Sequence, residues 1–378
     1  MSESTVAEAA AATIDNAAVH RALDKLIEHI KHDPACNRDP PRLSHYRQPF
    51  PSDVATAYDL LLQGAQVVHS TSTKYTLVGK THPEEQKKTL AKDLLRGCEL
   101  IGAASHILFQ DPSGCSRAVR RATQRVCLAI LINVSNLVEV FEDKTAVGGG
   151  TANTVGAQKT GAVWESCDQI LNKLMPQGNR NAIRREIFTW TRECVDSMEE
   201  FQELIDEGPK PLEAQQEEDE ENGNDNNNDD DDDDGNKYTD AEMPIATACL
   251  GLLKNSRGNM KIALESCEYL GTKVSESVDD DKQRYLDAIQ KVHGYARIVG
   301  EGLTDLGSVM YPPFLPNSRD LVAQVRKQAQ YIRDFQSYLQ DFDDLPNNIS
   351  EFSIVLKNAC ETREKEVLDT IRIAGGQI

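Results

Sequence analysis

Basic charge, aromatic residues and long apolar runs are all scarce in this chain. Of its 378 residues, 41 are Lys or Arg against 61 Asp or Glu, a net charge of −20. So acidic a surface offers no general attraction to phosphate backbones or anionic lipid, which disfavours nonspecific nucleic-acid binding. No basic region runs into a dimerising helix in the bZIP or bHLH manner, so no direct DNA binding is expected. The longest unbroken apolar run, Val126 to Ile132, is far short of the roughly 20 residues that cross a bilayer, and no membrane span is expected. Met1 to Thr13 contain Glu3 and Glu8 but no Lys or Arg, so the basic start of a secretory or mitochondrial leader is missing. The expected location is cytoplasmic and nuclear. The nine cysteines include no Cys-x-x-Cys pair. Most fall at apolar-periodic positions and read as reduced core thiols, not as a disulfide framework.

Aromatics make up only 6% and apolar residues 39%, lean values that still allow cores of Leu, Ile, Val and Ala in a chain this long. One stretch has almost none of these to offer. From Glu213 to Asp240 there are 14 acidic residues against the single Lys237, so this segment alone accounts for most of the net charge. Residues 209–240 therefore read as an acidic disordered linker, a coil spanning roughly 30 Å and extended further by its own repulsion.

On either side of it, apolar residues recur at spacings of three and four, the period of a helix. Five long helices are predicted before the linker, over Ser52–Val78, Pro83–Gln110, Ser113–Glu142, Val155–Leu174 and Asn179–Asp206. Four follow it, over Glu242–Val274, Asp279–Met310, Ser318–Asp343 and Asn348–Ile373. Ile183, Ile187, Trp190, Cys194, Met198, Phe201 and Ile205 make one core-facing stripe, as do Val119, Thr123, Val126, Ile130, Asn133, Leu137 and Phe141. Leu321, Val325, Gln328, Ile332, Phe335, Leu339 and Phe342 make a third, with Gln328 as its polar guest. No stretch alternates with period two for long enough to demand a strand. The predicted fold class is all-α: two antiparallel helical bundles of five and four long helices, at 51–208 and 241–374, comparable to vinculin and α-catenin. Residues 1–50 read as an N-terminal extension with a short helix over Asp15–Lys31, cut off from the first bundle by Pro34 and Pro40-Pro41.

Ile289, Ala296, Leu303 and Met310 with Val292, Val299 and Leu306 form a regular heptad seam. Gly294, Gly300, Gly302 and Gly307 interrupt the same helix, each costing about 1 kcal/mol relative to Ala. A helix so penalised is expected to be enclosed in its own bundle and not to stand out as a dimerising zipper.

Motifs that imitate chemistry fail on inspection. Gly79-Lys80-Thr81 ends like a phosphate-binding loop, but Lys74 stands where the first Gly is needed and a helix precedes it. Gly148 to Gly150 are followed by Asn153 where a dinucleotide fingerprint requires Gly. Asp230, Asp232 and Asp234 copy the first ligands of a calcium loop, yet its twelfth position is Ala241. His29, His32, Asp33 and Cys36 are metal-ligand types, but Pro34 breaks the helix that would align them and no second ligand pair follows. Trp164 and Trp190 read as core fillers. Arg117, Arg120, Arg121 and Arg125, the densest basic cluster, read as surface arginines paired with acidic neighbours. Thr239 and Ser197 are candidates for modification. No catalytic residue, cofactor or metal ligand is predicted, and the chain is not expected to be an enzyme.

Arg120-Arg121-Ala122-Thr123, Val163-Trp164, Met175-Pro176-Gln177, Arg180-Asn181, the acidic insert, Ala248-Cys249-Leu250, Lys254-Asn255-Ser256 and Tyr311-Pro312-Pro313-Phe314 follow one another along the chain. Their order resembles the cyclin-D-binding (GCIP) family. The resemblance spans about Ser52 to Ile373. It implies a non-enzymatic cell-cycle regulator that binds a D-type cyclin and restrains the cyclin-dependent kinase and Rb phosphorylation. It also implies negative action on helix-loop-helix transcription factors by a protein resembling them without their basic region, as a homo- or heterodimer. A cytoskeletal or adhesion adaptor of the vinculin/α-catenin type is the alternative. The sequence marks no partner-binding surface, because interface and core stripes share one periodicity.

Overall fold

The computed structural model describes residues 16–78, 84–140, 151–209 and 237–378. Among these residues the fold is all-α, with ten α-helices and no strand. Contacts divide the chain into two compact units, Met1–Ala182 and Ile183–Ile378.

The first unit contains α1 (Asn16–Lys31), α2 (Ser52–Val78), α3 (Glu84–Phe109), α4 (Arg117–Val140) and α5 (Thr151–Leu171). Contacts of α2 with α3, α3 with α4, α4 with α5 and α5 with α2 close a four-helix ring. Gly64 and Gly97 let α2 and α3 approach closely: a Cβ on Gly64 would lie 2.8 Å from the Gly97 carbonyl oxygen, and one on Gly97 would lie 2.7 Å from Val68. The prolines do not cut α1 off. It packs on both α3 and α4, because Val19, Leu23 and Ile30 form a buried stripe while Gln124 Nε2 donates to the free Ile30 carbonyl at 2.8 Å. The prolines shape the return instead, with Pro34 opening a 3₁₀ turn, Pro34–Asn37, capped by Asp33.

The second unit contains the body of α6 (Gly178–Asp206) with α7 (Met243–Glu276), α8 (Asp279–Ser308), α9 (Ser318–Gln340) and α10 (Asn347–Ile373). Sequence composition placed α6 with the first bundle, whereas its stripe packs in the second unit. Cys194 Sγ contacts the Leu253 carbonyl at 3.4 Å, and Tyr311 donates to Glu200 at 2.7 Å. Trp190 lies against Gly300, where a Cβ would come within 2.5 Å of the indole. The glycines of α8 thus admit a bulky neighbour, and the whole heptad seam from Ile289 to Met310 is buried inside the unit.

That core also carries polar side chains. Gln328 is fully buried and donates to Ser256 Oγ and the Val299 carbonyl, both at 3.0 Å. Asn259 donates to Asn255 at 2.9 Å and accepts from Gln336, while Asn255 donates to the Leu356 carbonyl at 3.0 Å. An apolar stripe alone tolerates sliding, and these bonds penalise it by fixing the register of α7 against α9 and α10.

Candidate protein-interaction surface

The polar side chains of the first unit divide into those used to build it and those left outside. Arg117 and Arg120 turn inward, contrary to the surface reading, and only Arg121 and Arg125 are exposed. Arg120 has no exposed side-chain surface. Its guanidinium donates to the Ala35 carbonyl at 3.3 Å, the Gln110 carbonyl at 3.4 Å and Asp111 at 3.2 Å, and Asp111 also holds Arg38 at 2.9 Å. Partial burial would raise the Asp111 pKa, but the two guanidiniums outweigh it and hold the carboxyl below its ordinary range. Five donors in a fixed fork let one arginine tie three chain segments together.

Beside it, Asn179 serves another three. Its Oδ1 accepts from Ser116 N at 2.7 Å, and its Nδ2 donates to the His45 and Gly114 carbonyls at 2.6 and 3.0 Å. Gly114 has φ +59° and sits against Ser44, with no room for a Cβ. His45 is buried, and desolvation pushes its pKa down to about 4 against a smaller upward pull from Asp53.

The other candidates separate. Asp33 caps Ala35 N at 2.9 Å, His32 faces Glu28 at 3.2 Å and Cys36 is buried, so the four ligand types near Pro34 do not converge. Among the described residues no group of three His, Cys, Asp or Glu side chains is placed to hold a metal ion. All nine cysteines are buried and free; burial raises every thiol pKa, as with Cys36 and Cys249, both pushed up to about 12. Gly79 to Thr81, Gly148 to Gly150 and Asp229 to Asp234 lie outside the described residues. Thr239 bonds Glu242 at 3.1 Å. Glu242 is buried and accepts from Phe314 N and Leu315 N at 2.7 and 2.8 Å, an arrangement that positions the start of α7. Ser197 is half-buried on α6. In the second unit a cleft of about 430 Å³ lies between α8 and α9, where Lys291 and Arg284 lie over the rings of Tyr338 and Phe342. No helix among the described residues is long and apolar enough to cross a membrane.

What remains is the outer seam of α2 and α5. Trp190 is a core residue, but Trp164 is 37% exposed, a correction to the core-filler reading. Its indole stacks on His69 of α2 with ring centroids 5.5 Å apart and an interplanar angle of 23°. Thr76 bonds Thr160 nearby, so α2 and α5 run antiparallel here. Helical periodicity puts Leu62, Gln66, His69, Thr73 and Thr76 in one row of α2, and Ala157, Gly161, Trp164 and Asp168 in the facing row of α5. Leu62 and Leu77 are exposed, Leu77 by 72%. From Leu60 to Thr73 α2 has no Asp, Glu, Lys or Arg, and α5 has only Lys159, Glu165 and Asp168. A charge-poor exposed face around an aromatic residue, in a chain 27% charged, is the composition of an interface core. The missed signal was this gap in the charges of α2, which hydrophobic periodicity does not register.

Residues 60–207 match the model of a family described as Grap2 and cyclin-D-interacting, N-terminal. This bears out the family resemblance over that stretch, which includes the α2–α5 seam. No curated protein matches the chain.

Proposed function

We propose that this chain, whose residues 60–207 match the model of a family described as Grap2 and cyclin-D-interacting, N-terminal, is a non-enzymatic protein-interaction module that binds a D-type cyclin. The observation that carries the reading is the coincidence of the family match with the exposed, charge-poor seam around Trp164. In this reading the complex restrains cyclin-dependent kinase activity and Rb phosphorylation in the nucleus and cytoplasm. Negative action on helix-loop-helix factors proceeds by association alone, since the chain brings no basic region of its own.

Calorimetric titration of the purified full chain with a purified D-type cyclin tests this. Saturable binding with a negative heat-capacity change, the mark of buried apolar surface, is expected. The absence of heat at concentrations where both proteins stay folded and soluble would contradict it. The alternative, an adaptor of the vinculin/α-catenin type, draws on the all-α build alone, and co-sedimentation with filamentous actin separates the two.

A further inference from the structure

We propose that the α2–α5 seam of the first unit is a docking groove for one amphipathic helix of a partner protein, lying with its apolar stripe on Trp164 and its basic end over Asp59 and Asp168. The unit already contains the template. In its ring of four helices, the α3–α4 seam is covered by α1, which buries Val19, Leu23 and Ile30 there. The α2–α5 seam lies across the ring, and α1 makes no comparable contact with either of its helices. Its relief sets small beside large: Gly161, where a Cβ would meet nothing within 4 Å, lies next to the exposed Trp164. From Leu62 to Thr76 the row extends about 21 Å at 1.5 Å per residue, room for a helix of about four turns, as long as α1.

Charge fixes the occupant and its direction. Because the two helices are antiparallel, Asp59 on α2 and Asp168 on α5 fall at the same end of the seam. Among the described residues neither makes an ion pair. Between them and Thr73 the α2 row is uncharged. A helix apolar along its stripe and carrying Lys or Arg at one end matches this pattern, whereas an acidic end would be repelled.

The test uses the full chain and two synthetic helical peptides with the same leucine stripe, one ending in three lysines and one in three glutamates. Trp164 is the exposed one of the chain's two tryptophans, so its fluorescence reports occupancy. The lysine peptide is expected to shift that emission saturably and to bind about fivefold or more tighter than the glutamate peptide. D59K with D168K should reverse the preference. Trp164→Glu, at an exposed position, should weaken binding about thirtyfold, monitored by anisotropy of a labelled peptide, while Ile354→Glu on exposed α10 of the second unit should not. Equal binding of both peptides, or an emission neither peptide moves, overturns the groove.

This inference rests on the proposed function only in taking the partner to be a D-type cyclin, and a second arm keeps the two apart. If the cyclin binds and Trp164→Glu leaves it bound, the groove is not the cyclin site and the inference falls. If the peptides bind as expected and the cyclin does not, the groove stands and the cyclin reading falls.

Discussion

Arg120 and His45 are both buried in the first unit and behave in opposite ways, one charged in the core and the other kept neutral. Replacing Arg120 by Ala would leave Asp111 with Arg38 alone and strand the Ala35 and Gln110 carbonyls over the cavity of a fully buried side chain. The expected cost is about 3–5 kcal/mol, seen as a lower urea midpoint at unchanged slope. Arg120→Met, which keeps the volume, should cost less than Arg120→Ala. For His45 the sign follows from its lowered pKa of about 4. Between pH 6.5 and 4 the unfolded chain binds a proton that the native protein refuses, so stability is present above pH 6.5 and declines as pH falls through that window. The loss approaches about 3 kcal/mol, and thermal melts of His45→Gln between pH 7 and 5 should show a flatter dependence than the parent. Sequence density grouped Arg117, Arg120, Arg121 and Arg125 as one patch. Phase was the better guide: Arg120 stands one heptad before the buried Cys127, which puts it on the inward face, while Arg121 and Arg125 fall outside it.

At the scale of elements, the helices were legible because they carry a three-and-four apolar period and most of them end near a proline or glycine. Where an end was misplaced, local turn chemistry won. The chain past Asp111 first makes a 3₁₀ turn and passes Gly114 at φ +59°, so α4 begins at Arg117 and not at Ser113. The enclosure of α8 was also legible, from its glycines. They are not equivalent, however, and this yields a paired prediction. Gly294→Ala meets nothing within 4 Å and should stabilise the protein by about 0.5–1 kcal/mol. Gly300→Ala drives a methyl into Trp190 and should cost about 1–3 kcal/mol. Chemical denaturation of both variants against the parent reads the difference directly. The allegiance of α6 was not legible, since a stripe such as Ile183 to Phe201 states that a face is buried without stating against what. Its partner cue was Gly300, a residue more than a hundred positions away.

For the whole molecule, the charge balance and the family motifs narrowed function further than any single residue did. In this acidic chain the buried polar groups Arg120, Asn179, Glu242 and Gln328 are spent on architecture, and the interface proposed above is drawn from the surface that remains. Hydrophobic patterning exposed the cores and left that interface hidden, because the α2–α5 seam is marked by missing charge and one half-exposed indole.

Hydrogen exchange on the full chain, with and without a saturating D-type cyclin, tests this account most directly. The expected result is slowed exchange in peptides covering α2 from Leu62 to Leu77 and α5 from Ala157 to Asp168, with peptides covering α9 and α10 unchanged. Protection confined to residues 243–373, or none anywhere in the presence of cyclin, would contradict it.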